Sequence, residues 1–466
     1  MSNVSSLPRR RPSGGWLFLL CALLVLPVRG AGFEVGVARV SITPPTPFWM
    51  SGYAARTHPS EGVLAELWAK ALAFRDPQGQ RVVLVTTDLI GLPRHVSDAV
   101  VARAQEKFGL GHAQLLLNSS HTHCGPTVGR NLSVLFDFDA AETARVHAYA
   151  DDLTAKLVAL VGDALRDLAP AEVAVGHGEV GFAINRRQPT PQGVRIGVNS
   201  GGPVDHDVPV VRIQTPDGRL RAVLFGYACH NTTLGGDFYH LNGDYAGFAQ
   251  AEFEQAHPGV TGLFLMLCGG DQNPHPRGTV ELAKQHGADL AAEVRRVLAT
   301  PLKPVRPPLR LASQTVPLEF AAHTRALFEA EAAHTDVYRQ RRARLMLEAY
   351  DKGEPVRQVA FPLQAVRFGE DLTVLGLGGE VVVGYGLRAK QTYPDANLVV
   401  AGYCHDVMCY IPTRRVLEEG GYEPDTSMIY YGQPGPFTPA VEETIFAALG
   451  RLLEQVGVKP AAREGR

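Results

Sequence analysis

Two histidines two residues apart, His121 and His123, open the chemistry of this chain. The apolar run Leu115-Leu116-Leu117 leads into Asn118-Ser119-Ser120-His121-Thr122-His123 and reads as a buried strand, which Gly125-Pro126 ends. Residues at i and i+2 of an extended backbone share one face. A pair of imidazoles at a strand end, where α/β sheets gather their sites, is a seed for a metal centre. On these residues alone, two histidines that merely hydrogen-bond at a strand end are an equal alternative.

Other apolar strands end the same way. Ala222 to Tyr227 runs into Cys229-His230, and Leu263 to Leu267 into Cys268-Gly-Gly-Asp271-Gln272-Asn273. Leu372 to Gly376 is followed by Gly378-Gly379-Glu380. Strand ends of one sheet converge, so the recurrence favours a real site. A catalytic zinc takes about three or four ligands from His, Glu, Asp or Cys and leaves room for water. His121, His230 and Glu380 meet that need from separate strand ends, with Asp271 and His405 as competing ligands. Cys124 and Cys229 each neighbour one of these histidines; a buried inert thiol outweighs a soft metal ligand for both. Asp88 ends the strand Val82 to Thr86 and is a candidate to orient a histidine, with helix capping as its alternative.

The elements that must position these residues follow from periodicity and turn signals. Val35 to Ile42 alternates as a first strand, and Leu67 to Phe74 forms a hairpin with Val82 to Thr86 across Asp76-Pro77-Gln78-Gly79. Helices are expected at Val96 to Phe108, Ala141 to Leu168, Asp244 to Ala256, Val280 to Leu298, Ala322 to Tyr350, Val381 to Lys390 and Ala440 to Val456. Further strands lie near Val173 and at Val210 to Ile213, Leu309 to Val316 and Leu398 to Tyr403. The helix Ala322 to Tyr350 carries the basic run Arg339 to Arg344 and reads as a solvated arm. The fold class is α/β: one large mixed domain, a central sheet flanked by helices, with a metal site at strand ends.

With 466 residues and a formal net charge of −2, the chain gives no reason to propose nucleic acid as a partner. Arg9-Arg10-Arg11 ahead of the apolar run Trp16 to Val28 has the form of a secretory signal with cleavage near Gly30 or Ala31. Residues 1–30 are therefore expected to leave, and 31–466 to act as a secreted or periplasmic protein without a transmembrane span. Cys21 goes with the signal, so five of the six cysteines remain; Cys404 and Cys409 are close enough in sequence to bridge, which geometry must decide. Asn118, Asn131 and Asn231 stand in glycosylation triplets.

The ordered set of motifs resembles the neutral/alkaline non-lysosomal ceramidase family, zinc amidases of N-acylsphingosine. It comprises Met50-Ser-Gly-Tyr53, His121-Thr-His-Cys-Gly-Pro126, Ile184-Asn185-Arg186, His230, Asn242-Gly-Asp244-Tyr-Ala-Gly, Gly270-Asp271, Glu380, Tyr410-Ile-Pro-Thr413 and Tyr422-Glu423 ahead of Ile429-Tyr430-Tyr431-Gly432. The resemblance implies one zinc ion per chain held by His121, His230, Glu380 and Tyr410. It implies His123, Arg186 and Tyr422 around the substrate's polar head, a lipid or small-molecule amide as substrate, and at most peripheral contact with a membrane surface. Asn273 stands where the family has an active-site serine and cannot act as a hydroxyl nucleophile, so zinc-activated water remains the expected route. The family's C-terminal β-sandwich domain is not expected within this sequence. An esterase or lactonase on the same scaffold, or a ligand-binding relative without catalysis, are the alternatives.

Overall fold

The apolar runs that stop at polar clusters are strands, and their carboxyl ends meet. In this computed structural model, residues 1–3, 7 and 32–461 are described, so nearly all of the expected signal segment lies outside the described residues. Gly32–Arg466 forms one unit. Its main elements begin with strands β1 (Phe33–Ser41), β2 (Trp68–Arg75) and β3 (Arg81–Thr87), helix α1 (Arg94–Phe108), strand β4 (Leu115–Ser119) and helix α2 (Ala140–Arg166). Then come β5 (Ala169–Glu179), β6 (Ala183–Thr190), β7 (Gly193–Asn199), β8 (Asp207–Gln214), β9 (Leu220–Tyr227), α3 (Asp244–Ala256), β10 (Thr261–Met266) and α4 (Val280–Leu298). The last part contributes β11 (Leu309–Glu319), α5 (Arg325–Ala332), α6 (Val337–Asp351), β12 (Gln358–Phe368), β13 (Leu372–Leu377), α7 (Val383–Thr392), β14 (Leu398–Ala401) and α8 (Val441–Gln455).

The large sheet has the order β10-β9-β8-β5-β1-β2-β3-β4, and a second sheet the order β11-β12-β13-β14. Period-two alternation divides the side chains of the large sheet between two faces. Ala71, Val85, Leu115 and Leu117 face α1 and α2, while Val210, Phe225 and Phe264 face α3 and α4. Leu72, Leu84, Leu116, Leu224 and Leu265 point the other way and pack on Val366, Phe368, Val374 and Val399 of the second sheet. The outer face of that sheet is covered by α7 and α8. The expected mixed α/β class holds, with one refinement: the large sheet has helices on one face and a second sheet on the other.

Most strand pairs are antiparallel; the exceptions position the site. β3 with β4, β9 with β10, and β13 with β14 are parallel, each pair joined through a crossing helix: α1, α3 and α7. Asn118 ties their carboxyl ends together. Its amide donates to Met266 O at 3.1 Å and Gly402 O at 2.8 Å and accepts Met266 N at 2.9 Å. One buried side chain thus stitches the ends of β4, β10 and β14.

Three sequence expectations need correction. The helix expected from Ala322 to Tyr350 is two helices, because Asp336 ends the gap between them by capping α6, accepting Tyr338 N at 2.8 Å. Nor is α6 a solvated arm: Arg342 is buried against Glu331, and Arg341 donates to Val134 O at 3.1 Å and Leu135 O at 3.2 Å. Asn118, Asn131 and Asn231 are all buried, so a glycan on any of them is incompatible with this fold. The five cysteines are free and buried, so Cys404 and Cys409 are not bridged.

Candidate metal centre

The chain leaves β4 at Ser119 and turns left-handed at His121, φ 62°. A non-glycine residue held there costs about 1–3 kcal/mol. This turn, rather than an extended i, i+2 face, brings the two imidazoles together: His121 Nε2 and His123 Nε2 are 3.1 Å apart. The ring of His121 is fixed by the neighbouring parallel strand's extension, donating Nδ1–H to Ile90 O at 2.6 Å. His230, just beyond β9, repeats the device by donating Nδ1–H to Gly269 O, beyond β10, at 2.8 Å. A carbonyl only accepts, so each ring carries its proton on Nδ1 and turns a bare Nε2 inward.

Glu380 arrives from beyond β13 on a two-residue strand, Glu380–Val381, that pairs in parallel with Tyr410–Ile411. Glu380 and Tyr410 are register partners, which explains why they enter the site together. Glu380 Oε2 lies 2.9 Å from His121 Nε2 and 3.0 Å from His230 Nε2. Tyr410 Oη is 3.1 Å from His230 Nε2, and Tyr431 Oη donates to Glu380 Oε1. For His230, burial first and Arg186 second push the pKa down to about 3. Burial, with His121 and His230 alongside, likewise keeps His123 neutral.

These donors fit a cation. With both rings protonated at Nδ1, neither Nε2 gives a hydrogen to Glu380 Oε2, which is buried with no hydrogen-bond partner. A buried carboxylate oxygen ringed by acceptors is costly unless a positive ion completes it. His121, His123 and His230 alone offer three ligand nitrogens within 4.8 Å of one another.

The cluster forms the floor of a cavity of about 290 Å³, walled by Tyr53, Ile90, Leu132, Leu135, Ile196, Tyr422 and Tyr430. Arg186 reaches it from β6. A bulge between Asn185 and Arg187 turns consecutive polar residues inward. Arg186 Nε donates to Glu423 Oε1 at 2.8 Å, one terminal nitrogen to Tyr410 Oη at 2.9 Å and the other to Asn273 Oδ1 at 3.3 Å. Its guanidinium lies 5.4 Å from the Tyr410 ring centroid and 5.6 Å from that of Tyr422. Glu423 also takes Arg187 at 2.5 Å, so one carboxylate holds two buried guanidiniums.

His121, His123, Glu380, Tyr410, Arg186, Asn273 and Tyr422 thus line a single cavity, and His230 stands behind its floor against Glu380 and Tyr410. The remaining candidates are elsewhere. Asp271 accepts Val383 N at 2.7 Å and Asn185 Nδ2 at 3.2 Å, bracing the backbone behind the site. His405 Nε2 donates to Gln364 Oε1 at 2.9 Å in a separate cavity with Arg94 and Asp406. Asp88 orients no histidine and caps no helix: it accepts Trp68 N at 2.9 Å and Gln250 Nε2 at 3.1 Å. Burial pushes the Cys124 thiol up to about 12 and that of Cys229 well above its usual range, which makes both inert. Tyr431, Glu423 and Tyr53 were missed as site residues; each belongs to a quoted motif, but only the tertiary fold shows what it touches.

Comparison with known proteins places this geometry. Residues 33–268 match the family described as neutral/alkaline non-lysosomal ceramidase, N-terminal. Neutral ceramidase A of Dictyostelium discoideum is 27% identical over 267 residues, 53% of this chain and 37% of that protein. Neutral ceramidase of Mycobacterium tuberculosis is 26% identical over 252 residues, 49% of this chain and 38% of that protein. The chain therefore aligns with well under two thirds of these relatives' own lengths. The crystal structure of neutral ceramidase from Pseudomonas aeruginosa superposes with a TM-score of 0.69 at 17% identity, covering 94% of this chain and 77% of that one, so the shared fold continues beyond residue 268. The chain belongs to the neutral/alkaline non-lysosomal ceramidase family of hydrolases.

Proposed function

We propose that this chain is an exported, zinc-dependent amide hydrolase that cleaves the N-acyl bond of a lipid-like substrate. The observation that carries this reading is the buried Glu380 Oε2, without a hydrogen-bond partner between the inward nitrogens of His121 and His230. His121, His230, Glu380 and Tyr410 would hold one zinc ion per chain, which supplies Lewis acidity and a water acidified toward neutrality.

The remaining residues follow from their positions. His123 is neutral and its Nε2 faces the cluster, 3.1 Å from His121 Nε2, so it can take up a proton there and return it to the departing amine nitrogen. Arg186 and Tyr422 border the space above the floor and donate to a carbonyl oxygen as it gains charge. Asn273 Oδ1 is occupied by Arg186 and by Thr232 Oγ1 at 3.4 Å, which leaves its Nδ2 group to donate into the cavity. With no hydroxyl at that position, acyl transfer goes directly to water rather than through an acyl-enzyme. Ile90, Leu132, Leu135 and Ile196 give the acyl part an apolar wall.

The test is metal content together with turnover. Purified protein should carry one zinc per chain and hydrolyse N-acyl amides, short-chain ceramide among them, faster than matched esters. His121→Ala should lose both metal and activity, whereas His123→Gln should keep the metal and lose activity. Protein that binds no zinc, or that cleaves only esters, overturns the reading.

A further inference from the structure

Around the cavity the charges are matched except at one place. Arg186 is neutralised by Glu423 at 2.8 Å, and Glu380 belongs to the histidine cluster. Arg277 also lines the cavity. Among the described residues its one polar side-chain contact is with a neutral group, the Tyr53 hydroxyl, at 3.2 Å. Tyr53 does not answer the charge, because its own proton goes to Leu234 O at 2.7 Å. The carboxylate behind Tyr53 is equally engaged: Asp244 accepts the backbone N–H groups of Thr233 at 3.2 Å, Leu234 at 3.0 Å and Tyr245 at 2.6 Å. A second guanidinium, Arg56, lies 5.1 Å from the Tyr53 ring centroid and donates to the backbone oxygens of Ser51 and Phe238. Among the described residues, neither the rim guanidinium of Arg277 nor that of Arg56 behind Tyr53 is paired with an acid.

The backbone that carries Arg277 is anchored, and its side chain is exposed at the cavity rim. Its neighbours in the loop are anchored on both sides, Pro276 O by His286 Nε2 at 2.7 Å and Gly278 N by Thr233 O at 2.7 Å. A guanidinium at the rim of a cavity is a receptor for a planar or tetrahedral anion. Its side of the cavity is defined by Tyr53, whose ring packs on His123 with centroids 4.8 Å apart. His123 is the group that serves the departing amine, so Arg277 stands one tyrosine away from the amine half of the substrate.

We propose that the preferred substrates are N-acyl amides whose amine half carries an acid, the N-acyl amino acid class, and that Arg277 is the specificity-determining residue that binds this acid. The assignment of the amine half rests on the amidase reading above; the anion preference itself does not. A neutral amine half leaves the Arg277 charge unanswered, and a basic one is repelled.

The experiment compares N-lauroyl-glutamate, N-lauroyl-ethanolamine and N-lauroyl-ethylenediamine on the full chain. Wild type is expected to favour the acidic amide over the neutral one by about 2- to 5-fold in kcat/KM, the scale of a solvent-exposed ion pair. Arg277→Met should collapse that ratio toward unity, Arg277→Lys should restore part of it, and Arg277→Glu should invert it in favour of the amine-bearing amide. The same ratios are read by calorimetric binding, which needs no turnover and so separates the two hypotheses. If nothing is hydrolysed but the acid binds more tightly and Arg277→Met abolishes the difference, the amidase reading fails and the anion site stands. If N-lauroyl-taurine replaces N-lauroyl-glutamate equally well, the site reads charge; if it does not, the site reads a carboxylate. A wild-type ratio near unity, or a ratio unmoved by Arg277→Met and Arg277→Glu, overturns the proposal.

Discussion

Glu380 Oε2 stands 3.0 Å from His230 Nε2 with no proton between them. The ring donates its N–H to Gly269 O instead, and burial next to Arg186 keeps it neutral. Without a cation, a carboxylate oxygen and two imidazole lone pairs crowd one buried point. Glu380→Gln relieves this conflict by offering N–H donors to the lone pairs. In metal-free protein the variant should therefore be more stable than wild type, by about 1–3 kcal/mol. Zinc should raise the melting temperature of wild type and leave the variant nearly unmoved. Thermal scans with chelator and with added zinc decide it; equal zinc responses would remove Glu380 from the ligand set.

Glu423 joins Arg186 and Arg187 behind the cavity, with all three side chains buried. Truncating one partner of such a cluster leaves buried charge uncompensated and typically costs about 3–5 kcal/mol. Glu423→Ala should lose stability on that scale, and Arg186 should swing away from Tyr410. Glu423→Gln keeps the shape and one set of hydrogen bonds, so denaturant unfolding should place it between wild type and Glu423→Ala. Equal midpoints for all three proteins would show that the cluster has no energetic weight.

Much of this arrangement could be read from the chain. Leu115–Leu117, Leu263–Leu267 and Leu372–Leu375 announce buried strands, and the polar residues that follow them do converge, because parallel strands put their carboxyl ends on one edge. The hairpin β6–β7 gave no such signal. Asn185, Arg186 and Arg187 are consecutive polar residues, and the bulge that turns them inward breaks the alternation on which strand recognition depends. Asp88 misled for a related reason: its position at a strand end suggested a catalytic partner, but its carboxylate is taken by Trp68 and Gln250. Tyr410 enters through a two-residue pairing with Glu380 that no local pattern encodes.

Asn118 makes the convergence itself testable. Its three hydrogen bonds tie β4 to the ends of β10 and β14. Asn118→Ala leaves Met266 N and the Met266 and Gly402 carbonyls without these partners in a dry interior, at about 1–3 kcal/mol for each group. The variant should be strongly destabilised, and hydrogen exchange should open first around residues 118–123 and 402–405. Wild type expressed in a glycosylating host should carry no glycan at Asn118, which intact mass reads directly.

His177 links stability to pH. Its Nδ1 is 2.8 Å from Asp207 Oδ1 and its Nε2 2.8 Å from Asn397 Oδ1, so two acceptors call for a proton on each nitrogen. Burial opposes the charged ring, but these bonds outweigh it and raise the pKa above the ordinary 6.5. A raised folded-state value means that the contribution is full below 6.5 and is lost as pH rises through the folded pKa. Melting temperature should therefore fall with pH above about 6.5 by an amount that His177→Gln removes. A difference between the two proteins that is constant from pH 5.5 to 8.5, on the order of that window, would contradict the linkage.

Gly52 shows how closely the loop of Met50-Ser-Gly-Tyr53 is moulded to His123. It has φ 98°, and a Cβ built there would lie 2.6 Å from His123 Nδ1. Alanine at this position is disfavoured twice, by the left-handed backbone and by contact with a ring whose Nδ1 is already buried without a partner. The ring cannot retreat freely: Tyr53 packs on it at 4.8 Å, and His121 Nε2 stands 3.1 Å from its Nε2. Gly52→Ala should consequently shift His123 against the cluster while leaving the supports of His121 and His230, Ile90 O and Gly269 O, in place. Zinc content should stay near that of wild type, and kcat should fall by about 10²-fold, the usual cost of a 1 Å misplacement of a reacting group. Loss of zinc in step with activity would mean that His123 is itself a ligand, and that the proton-carrying role belongs to another residue of the cavity.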